Sequence, residues 1–321
     1  MPEIYVPNKK IVVASSFEGI VNNGATECAL TSFNAYQRMT EGEDKFYERI
    51  IEPSEFSSIR DSRAVRAFLA LRPLVEVAED YLTVIEVIEN NPDLVDEMLS
   101  HPEREESYNP LIDKFRDRSM SAENRRTRFR QEFYDERERM QQEDYEGWLN
   151  TQEPYAEMIP EFRELVETQD RSGKEGPYSS VKSGVVPWFA TSKDEKSSYA
   201  LCNFYANVRK LDPNAVGEGA CVISRHRIIG KEHTRDKIEQ LRIIARKEEI
   251  PNPQVWRVND RYDEEQQVEL KNAGFPYQFL LKGGYAFPHD ERKAQDDPFV
   301  IVLEREDFAQ RLGEFAKNWG Y

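Results

Sequence analysis

The sequence predicts an α/β fold with a parallel sheet, plus a block of helices inserted after the first strand. After residue 184, short apolar stretches alternate with helical segments, which is typical of a parallel sheet covered on both faces. One more apolar, β-branched strand, residues 11–15, precedes a long helical stretch. We therefore expect a Rossmann-type core of residues 1–24 and 184–321 and an all-helical cap of residues 25–183.

The first strand ends abruptly in a small polar loop that runs to residue 24. The residues Asn22, Asn23 and Gly24 predict a turn there, and helical spacing resumes over 25–39. Apolar residues then recur at helical spacing from 53 to 90, with a break at Pro73, and a short helix follows over 93–99.

The region near 103–150 differs from the rest of the cap because it is dense in Glu, Asp and Arg. Only Phe129, Phe133 and Met140 keep a one-sided apolar spacing, and many opposite charges stand three or four residues apart. The pattern predicts a charged helical arm, either one long solvated helix or a hairpin. A partner-binding arm is the alternative.

Residues 168–184 are rich in Gly, Ser and Lys and predict a linker back to the core. The core then continues with predicted strands at 185–190, 220–223, 227–229, 254–258, 277–281 and 299–303, and with predicted helices at 199–208, 236–247, 264–273 and 306–317.

Composition excludes several function classes. The net charge of −16 argues against nucleic-acid binding, which needs a surplus of Lys and Arg. The three cysteines show no CxxC spacing, so neither a zinc site nor a disulfide framework is indicated. The N-terminal residues form no apolar signal region, and no apolar stretch approaches the roughly 20 residues that span a bilayer. We therefore expect a cytoplasmic protein with no membrane partner.

Polar residues follow the predicted strands at four places. Ser16 and Glu18 follow the first strand, Thr191 follows VVPWFA, Lys237 begins the helix of TRDKIEQL, and Asp260 follows VWRVN. Ligands bind outside the carboxyl ends of strands in open α/β sheets, so these residues are the candidate site. Each also has a structural explanation: Thr191 and Asp260 as helix caps, Glu18 as a solvated turn residue and Lys237 as an exposed helix lysine.

The four places resemble, in order, the four motifs of the haloacid dehalogenase (HAD) phosphohydrolases, whose first motif is an apolar strand followed by Asp-x-Asp-Gly. Here that motif reads Ser16-Phe17-Glu18-Gly19. The stretch 71–82, and the tail that holds Gly284-Tyr285 and Glu291-Arg292, further resemble a HAD-like family of cyanobacteria and chloroplasts.

The resemblance implies a mechanism and a magnesium site. In that mechanism a carboxylate attacks phosphorus, and a second acid two residues later protonates the leaving group. Carried over to this sequence, Glu18 is the acid, Thr191 and Lys237 hold phosphoryl oxygens, and Asp260, Asp263 and Glu18 are the implied Mg²⁺ ligands.

Two positions depart from that pattern. Ser16 replaces the nucleophilic Asp, which removes both the nucleophile and one metal ligand, so Mg²⁺ binding should be weakened. Asn259 replaces the usual Gly before the last acid. The sequence therefore favours a catalytically impaired HAD-like protein that acts by binding a small phosphorylated ligand or a protein partner. An active Mg²⁺-dependent phosphohydrolase and an interaction scaffold built on the charged helical arm are the alternatives.

Overall fold

The computed structural model describes residues 11–40, 49–119, 123–165, 185–205, 223 and 225–318. The chain divides into two compact units. The sheet unit comprises residues 1–22, 154–286 and 290–321, and the helical unit comprises residues 23–153 and 287–289.

The sheet unit is built on six parallel strands, which confirms the predicted fold class. The strands are β1 (Ile11–Ser15), β4 (Val185–Ala190), β5 (Ile228–Ile229), β6 (Val255–Asn259), β7 (Gln278–Leu281) and β8 (Val300–Leu303). Their order across the sheet is β5-β4-β1-β6-β7-β8. All five residues of β1 are buried, as expected for a central strand between two parallel neighbours.

Helices accompany these strands along the chain. They are α8 (Met158–Leu165), α9 (Glu195–Asn203), α10 (Lys237–Glu248), α11 (Glu264–Asn272), α12 (Pro288–Asp296) and α13 (Phe308–Asn318). One face of the sheet packs apolar side chains against α10, with Leu241 and Ile244 fully or almost fully buried. On the other face, Phe162 of α8 contacts Phe189 and Phe308. Both faces are covered, as the alternating sequence pattern predicts.

The strand order reverses beside β1. From β1 the chain continues to β4 and β5 on one side, and then returns to β6, β7 and β8 on the other side. The switch point therefore lies between β1 and β6, and the crevice outside their carboxyl ends is where ligands bind in sheets of this kind.

Several predicted elements differ from the observed ones. The turn predicted at 22–24 begins instead with a short strand, β2 (Asn22–Asn23), which forms a two-stranded sheet with β3 (Glu153–Pro154). Helix α9 begins four residues earlier than predicted because Asp194 caps it, its side chain accepting from the Ser197 amide. Helix α12 was not predicted. The predicted linker at 168–184 and residues 220–222 lie outside the described residues.

The sheet unit resumes at residue 154, earlier than the expected return at 184. The reason is α8, which we assigned to the inserted cap from its helical pattern. Its Phe162 is fully buried between aromatic side chains of β4 and α13, and the Ala309 amide donates to Glu161 at 2.7 Å. Helical periodicity alone does not show against which element a helix packs.

The helical unit contains seven α-helices among its described residues. They are α1 (Ala25–Met39), α2 (Arg63–Leu71), α3 (Asp80–Asn90), α4 (Pro92–Ser100), α5 (Glu105–Ser119), α6 (Glu123–Glu143) and α7 (Tyr145–Thr151), with 3-10 turns at Pro53–Ser58 and Arg72–Leu74. Phe68, Tyr81 and Phe133 stack in succession at the centre of this unit, with 5.3 Å between neighbouring ring centroids.

The charged segment is solvated on one side only. It forms α5 and α6, and α6 packs against α1. Phe129, Phe133 and Met140, the residues with one-sided spacing, are buried. Glu136 is buried among them and accepts hydrogen bonds from Arg38 and Arg139. The high charge density of this segment therefore partly serves internal ion pairs. No helix within the described ranges combines the length and apolarity that crossing a membrane requires.

Candidate functional site at the strand ends

The candidate site lies where β1, β4 and β6 end, and Ser16 connects two of these ends. The Ser16 amide donates to the Val258 carbonyl at 3.1 Å, and its hydroxyl donates to Asn259 Oδ1 at 3.2 Å. Asn259 is itself oriented, because its Nδ2 donates to the Arg261 carbonyl at 3.0 Å. The amide and the hydroxyl of Ser16 thus span the switch point between β1 and β6.

Glu18 is held by a cation and an amide. Its carboxylate lies 2.9 Å from Lys193 Nζ and accepts from Asn22 Nδ2 at 3.0 and 3.1 Å. Lys193 follows β4, and its amide donates to the Thr191 hydroxyl at 3.0 Å. The Glu18–Lys193 ion pair therefore joins the loop after β1 to the loop after β4.

Thr191 is buried at the end of β4, with its amide bonded to the Ile229 carbonyl at 2.9 Å. It does not cap a helix, since Asp194 caps α9. Gln240 Nε2 donates to the Thr191 carbonyl at 2.8 Å. These contacts fix the position of Thr191 and its hydroxyl at the carboxyl edge of the sheet.

Lys237 is the first residue of α10 and points back to the end of β4. Its ammonium donates to the Ala190 carbonyl at 3.0 Å and to Gln240 Oε1 at 3.2 Å. Burial, with a smaller contribution from nearby Arg257, lowers the pKa of Lys237 to about 7, although Asp260 acts in the opposite direction. Lys237 is therefore not the exposed helix lysine of the alternative interpretation.

Asp260 is buried and lies against the backbone of two glycine-containing loops. Its Oδ2 accepts from the Tyr285 amide at 3.0 Å. A Cβ on Gly19 would lie 1.8 Å from that oxygen, and a Cβ on Gly284 would lie 2.4 Å from the Cβ of Asp260. Gly19 also has a φ of +78°, which favours glycine. The Gly of the first motif and Gly284 therefore make room for this carboxylate.

Arg305 holds the loops around Asp260 in place. This buried guanidinium donates to the Gly19 carbonyl at 2.6 Å, to the Ile20 carbonyl at 2.9 Å and to the Lys282 carbonyl at 2.8 Å. It also lies 3.7 Å from the centroid of the Tyr155 ring. Burial lowers its pKa and also raises the pKa of the Tyr155 phenol, so Tyr155 stays neutral beside it.

Arg257 is a second buried guanidinium at the site. It lies on β6 and is 5 % exposed, with Ala14 and Gln278 as its partners in the neighbouring strands. Its Nη1 has no hydrogen-bond partner. Burial lowers its pKa to about 10, and Asp260 and Asp263 oppose that shift.

The structure brings together five of the six predicted site residues: Ser16, Glu18, Thr191, Lys237 and Asp260 lie at one edge of the sheet. Asp263 makes its observed contact elsewhere. It is exposed and caps α11, its carboxylate accepting from the Gln266 amide at 3.1 Å. The helix cap that we considered for Asp260 is thus supplied three residues later.

The donors at these strand ends do not fit a divalent cation. Position 16 offers a neutral hydroxyl, the Glu18 carboxylate is paired with Lys193, and Arg257, Lys237 and Arg305 all act electrostatically on or beside Asp260. Mg²⁺ prefers six oxygen ligands and usually one or two carboxylates. Within the described ranges, the one group of three closely spaced metal-ligating side chains is Glu195, Glu232 and His233, where Arg225 contacts Glu195 at 2.6 Å.

Comparisons with known proteins give matches among solved structures. No family model and no curated protein sequence matches the chain. Two solved structures resemble it. A haloacid dehalogenase-like family hydrolase from Streptococcus pneumoniae shares 9 % identity at a TM-score of 0.46, covering 96 % of this chain and 99 % of that one. A predicted phosphatase from Clostridium acetobutylicum shares 13 % identity at a TM-score of 0.45, covering 95 % and 99 %.

Sequence reasoning missed three cations: Lys193, Arg257 and Arg305. Lys193 was visible as a charged residue two positions after Thr191. Arg257 also left a signal, since an arginine inside the apolar strand VWRVN is unusual for a buried parallel strand. Arg305 left no signal in the sequence. Nothing in its neighbouring residues indicates that its side chain reaches the backbone of the loop after β1.

Proposed function

We propose that this protein is a HAD-like phosphate-binding protein whose catalytic step is impaired, and that its ligand is a small phosphorylated molecule. The observation that carries the proposal is the Ser16 hydroxyl, which donates to Asn259 at the position of the nucleophile. Two further observations support it: Lys237 reaches the carboxyl end of β4, where Thr191 follows, and Asp260 lies against Gly19 in the loop after β1.

A serine at this position is a poor nucleophile unless a base removes its proton. Its own hydrogen bond goes to an amide oxygen, which is not a base at neutral pH. Glu18 is two residues away, but its carboxylate is engaged by Lys193 and Asn22. Attack through Ser16 would also produce a phosphoserine, which lacks the lability of an acyl-phosphate. These contacts support ligand binding without turnover.

In this proposal Glu18 pairs with Lys193 when no ligand is bound. Its ion pair with Lys193 neutralises a cation that lies beside the Thr191 hydroxyl. A phosphoryl group at Thr191 and Lys237 would compete for that cation, because phosphate is a strong acceptor for ammonium groups. Binding of a phosphorylated ligand is therefore expected to loosen the Glu18–Lys193 pair, which connects two of the loops that form the site.

The test uses wild type and Ser16→Asp, with Ser16→Asn as the matched control of similar size and no charge. Each is assayed with Mg²⁺ on a panel of phosphate esters, and binding of inorganic phosphate is measured by calorimetry. We expect phosphate binding by wild type and no release of phosphate above the Ser16→Asn background. Ser16→Asp should gain Mg²⁺-dependent hydrolysis because it restores a carboxylate at position 16, both as nucleophile and as metal ligand.

Robust turnover by wild type, lost in Lys237→Ala, would overturn the proposal in favour of an active phosphohydrolase. Absence of phosphate binding by wild type would overturn it in favour of a fold retained for another purpose. The alternative of a scaffold built on the charged arm has less support, since α6 uses its apolar face and Glu136 within the helical unit.

A further inference from the structure

Arg257 is difficult to explain as a structural residue. The residue is only 5 % exposed, and its buried Nη1 has no hydrogen-bond partner. The described residues form no ion pair with it, since its nearest acidic groups act only at longer electrostatic range. A buried charge without a partner is strongly unfavourable, so such groups are rare unless something binds them.

The charged groups near Arg257 do not compensate its positive charge. Lys237 is close enough to repel it electrostatically, and the Lys237 ammonium is turned toward the carbonyl of Ala190. Asp260 acts electrostatically on both, but it already accepts from the Tyr285 amide and also has Arg305 within electrostatic range. The other carboxylate that acts on Arg257, Asp263, is exposed and accepts from the Gln266 amide. Within the described part of the chain, Arg257 is therefore held by no carboxylate of its own.

Such a charge balance suits an anion. A guanidinium presents paired N–H donors that match two phosphate oxygens, and an ammonium adds a third contact. In the HAD pattern a divalent metal ion neutralises part of the phosphate charge, yet the donors at these strand ends do not fit one. Arg257 carries one positive charge, and its Nη1 donates to no described group, so it can take over part of that neutralisation.

We propose that Arg257 supplies, within the strand-end site, the positive charge that a divalent metal ion would otherwise bring, so that the protein binds a phosphoryl group without metal. The unpartnered Nη1 and its neighbour Lys237 are the groups that face the anion. This inference rests on the proposed function and deepens it. The inference predicts that the protein binds the phosphate group as a dianion alone, without a bound Mg²⁺ ion.

The test measures binding of inorganic phosphate by calorimetry, once in excess EDTA and once in excess Mg²⁺. The proteins are wild type, Arg257→Met, Arg257→Lys and the control Arg246→Met, which removes an exposed arginine that pairs with Glu239 on α10. Unfolding by urea without phosphate is measured for all four. Methionine keeps the length of the arginine stem and removes only the charged donors.

We expect wild type and Arg246→Met to bind phosphate equally in EDTA and in Mg²⁺. Arg257→Met should bind about tenfold to a hundredfold more weakly, in line with loss of a hydrogen bond to a charged group. Without phosphate it should be at least as stable as wild type, because it no longer buries an unpartnered charge. Arg257→Lys should bind with intermediate affinity, since it keeps the charge and loses the paired donors.

Three results would overturn the inference while leaving phosphate binding in place: binding that requires Mg²⁺, unchanged affinity in Arg257→Met, or a loss of folding in Arg257→Met while Arg257→Lys folds and binds like wild type. The last result would show that the guanidinium is held by the protein. Absence of phosphate binding by wild type under both conditions would instead remove the proposed function itself.

Discussion

Replacing Lys237 by methionine should stabilise the protein at neutral and acidic pH, and the gain should disappear as the pH rises. In the unfolded chain a lysine has a pKa of 10.5, whereas in the folded protein burial lowers the pKa of Lys237 to about 7. The unfolded state therefore binds more protons between these values. Stability of the wild type accordingly increases with pH across that window, and a variant without the ammonium lacks this increase.

The magnitude follows from the difference between the two pKa values. Each unit corresponds to about 1.36 kcal/mol, so the full shift of Lys237 sets an upper bound of roughly 5 kcal/mol. Part of the side chain is exposed, so water screens the charge and we expect about 2–3 kcal/mol. The hydrogen bonds to Ala190 and Gln240, each contributing about 1 kcal/mol, are lost at every pH.

The assay is urea unfolding of wild type and Lys237→Met at pH 6, 8 and 10, without phosphate. Lys237→Met should be more stable than wild type at pH 6, about equally stable near pH 8, and less stable at pH 10. Lys196→Met, which removes an exposed lysine of α9, should show a difference that stays constant with pH. A constant difference for Lys237→Met, or one that grows in favour of methionine with pH, would refute the reasoning about burial.

Two further substitutions test the buried guanidinium groups. Arg305→Met should cost about 3 kcal/mol in urea unfolding, because it leaves three backbone carbonyls, including that of Gly19, without their donor. A cost below about 1 kcal/mol would show that these carbonyls find other donors. In the helical unit, Arg137→Met should cost about 3–5 kcal/mol, because fully buried Glu27 loses a two-point partner at 2.7 and 2.8 Å. Adding Glu27→Gln should then recover part of that loss, and no recovery would contradict a charge-based explanation.

Much of the sheet unit was predictable because its signals are local. Apolar runs, the polar residues after them and their order along the chain predicted the strands of the parallel sheet. They also predicted that Ser16, Thr191, Lys237 and Asp260 would meet at one edge. That prediction needed no contact information, since the carboxyl ends of parallel strands necessarily share an edge.

What the sequence did not predict depends on contacts between distant residues. The periodicity of α8 shows an apolar face but not that Phe162 packs on the sheet unit. The charges of α6 suggest solvent exposure, although Glu136 is buried among arginines. The cap that Asp263 forms at α11 was not predicted, because a carboxylate before a helix serves equally well as a cap or as a ligand. Only the geometry distinguishes these uses.

The contact between Arg305 and the distant loop after β1 has a consequence for the synthesis of this protein. Arg305 donates to the Gly19 carbonyl across 286 residues of sequence, and β1 has no sheet partner until β4, beyond the middle of the chain. On the ribosome, β1 is made before either of its sheet partners, β4 and β6, and it stays unpaired while residues 23–153 follow. The loop that carries Glu18 and Gly19 can form its hydrogen bonds to Arg305 only after that distant residue has been made.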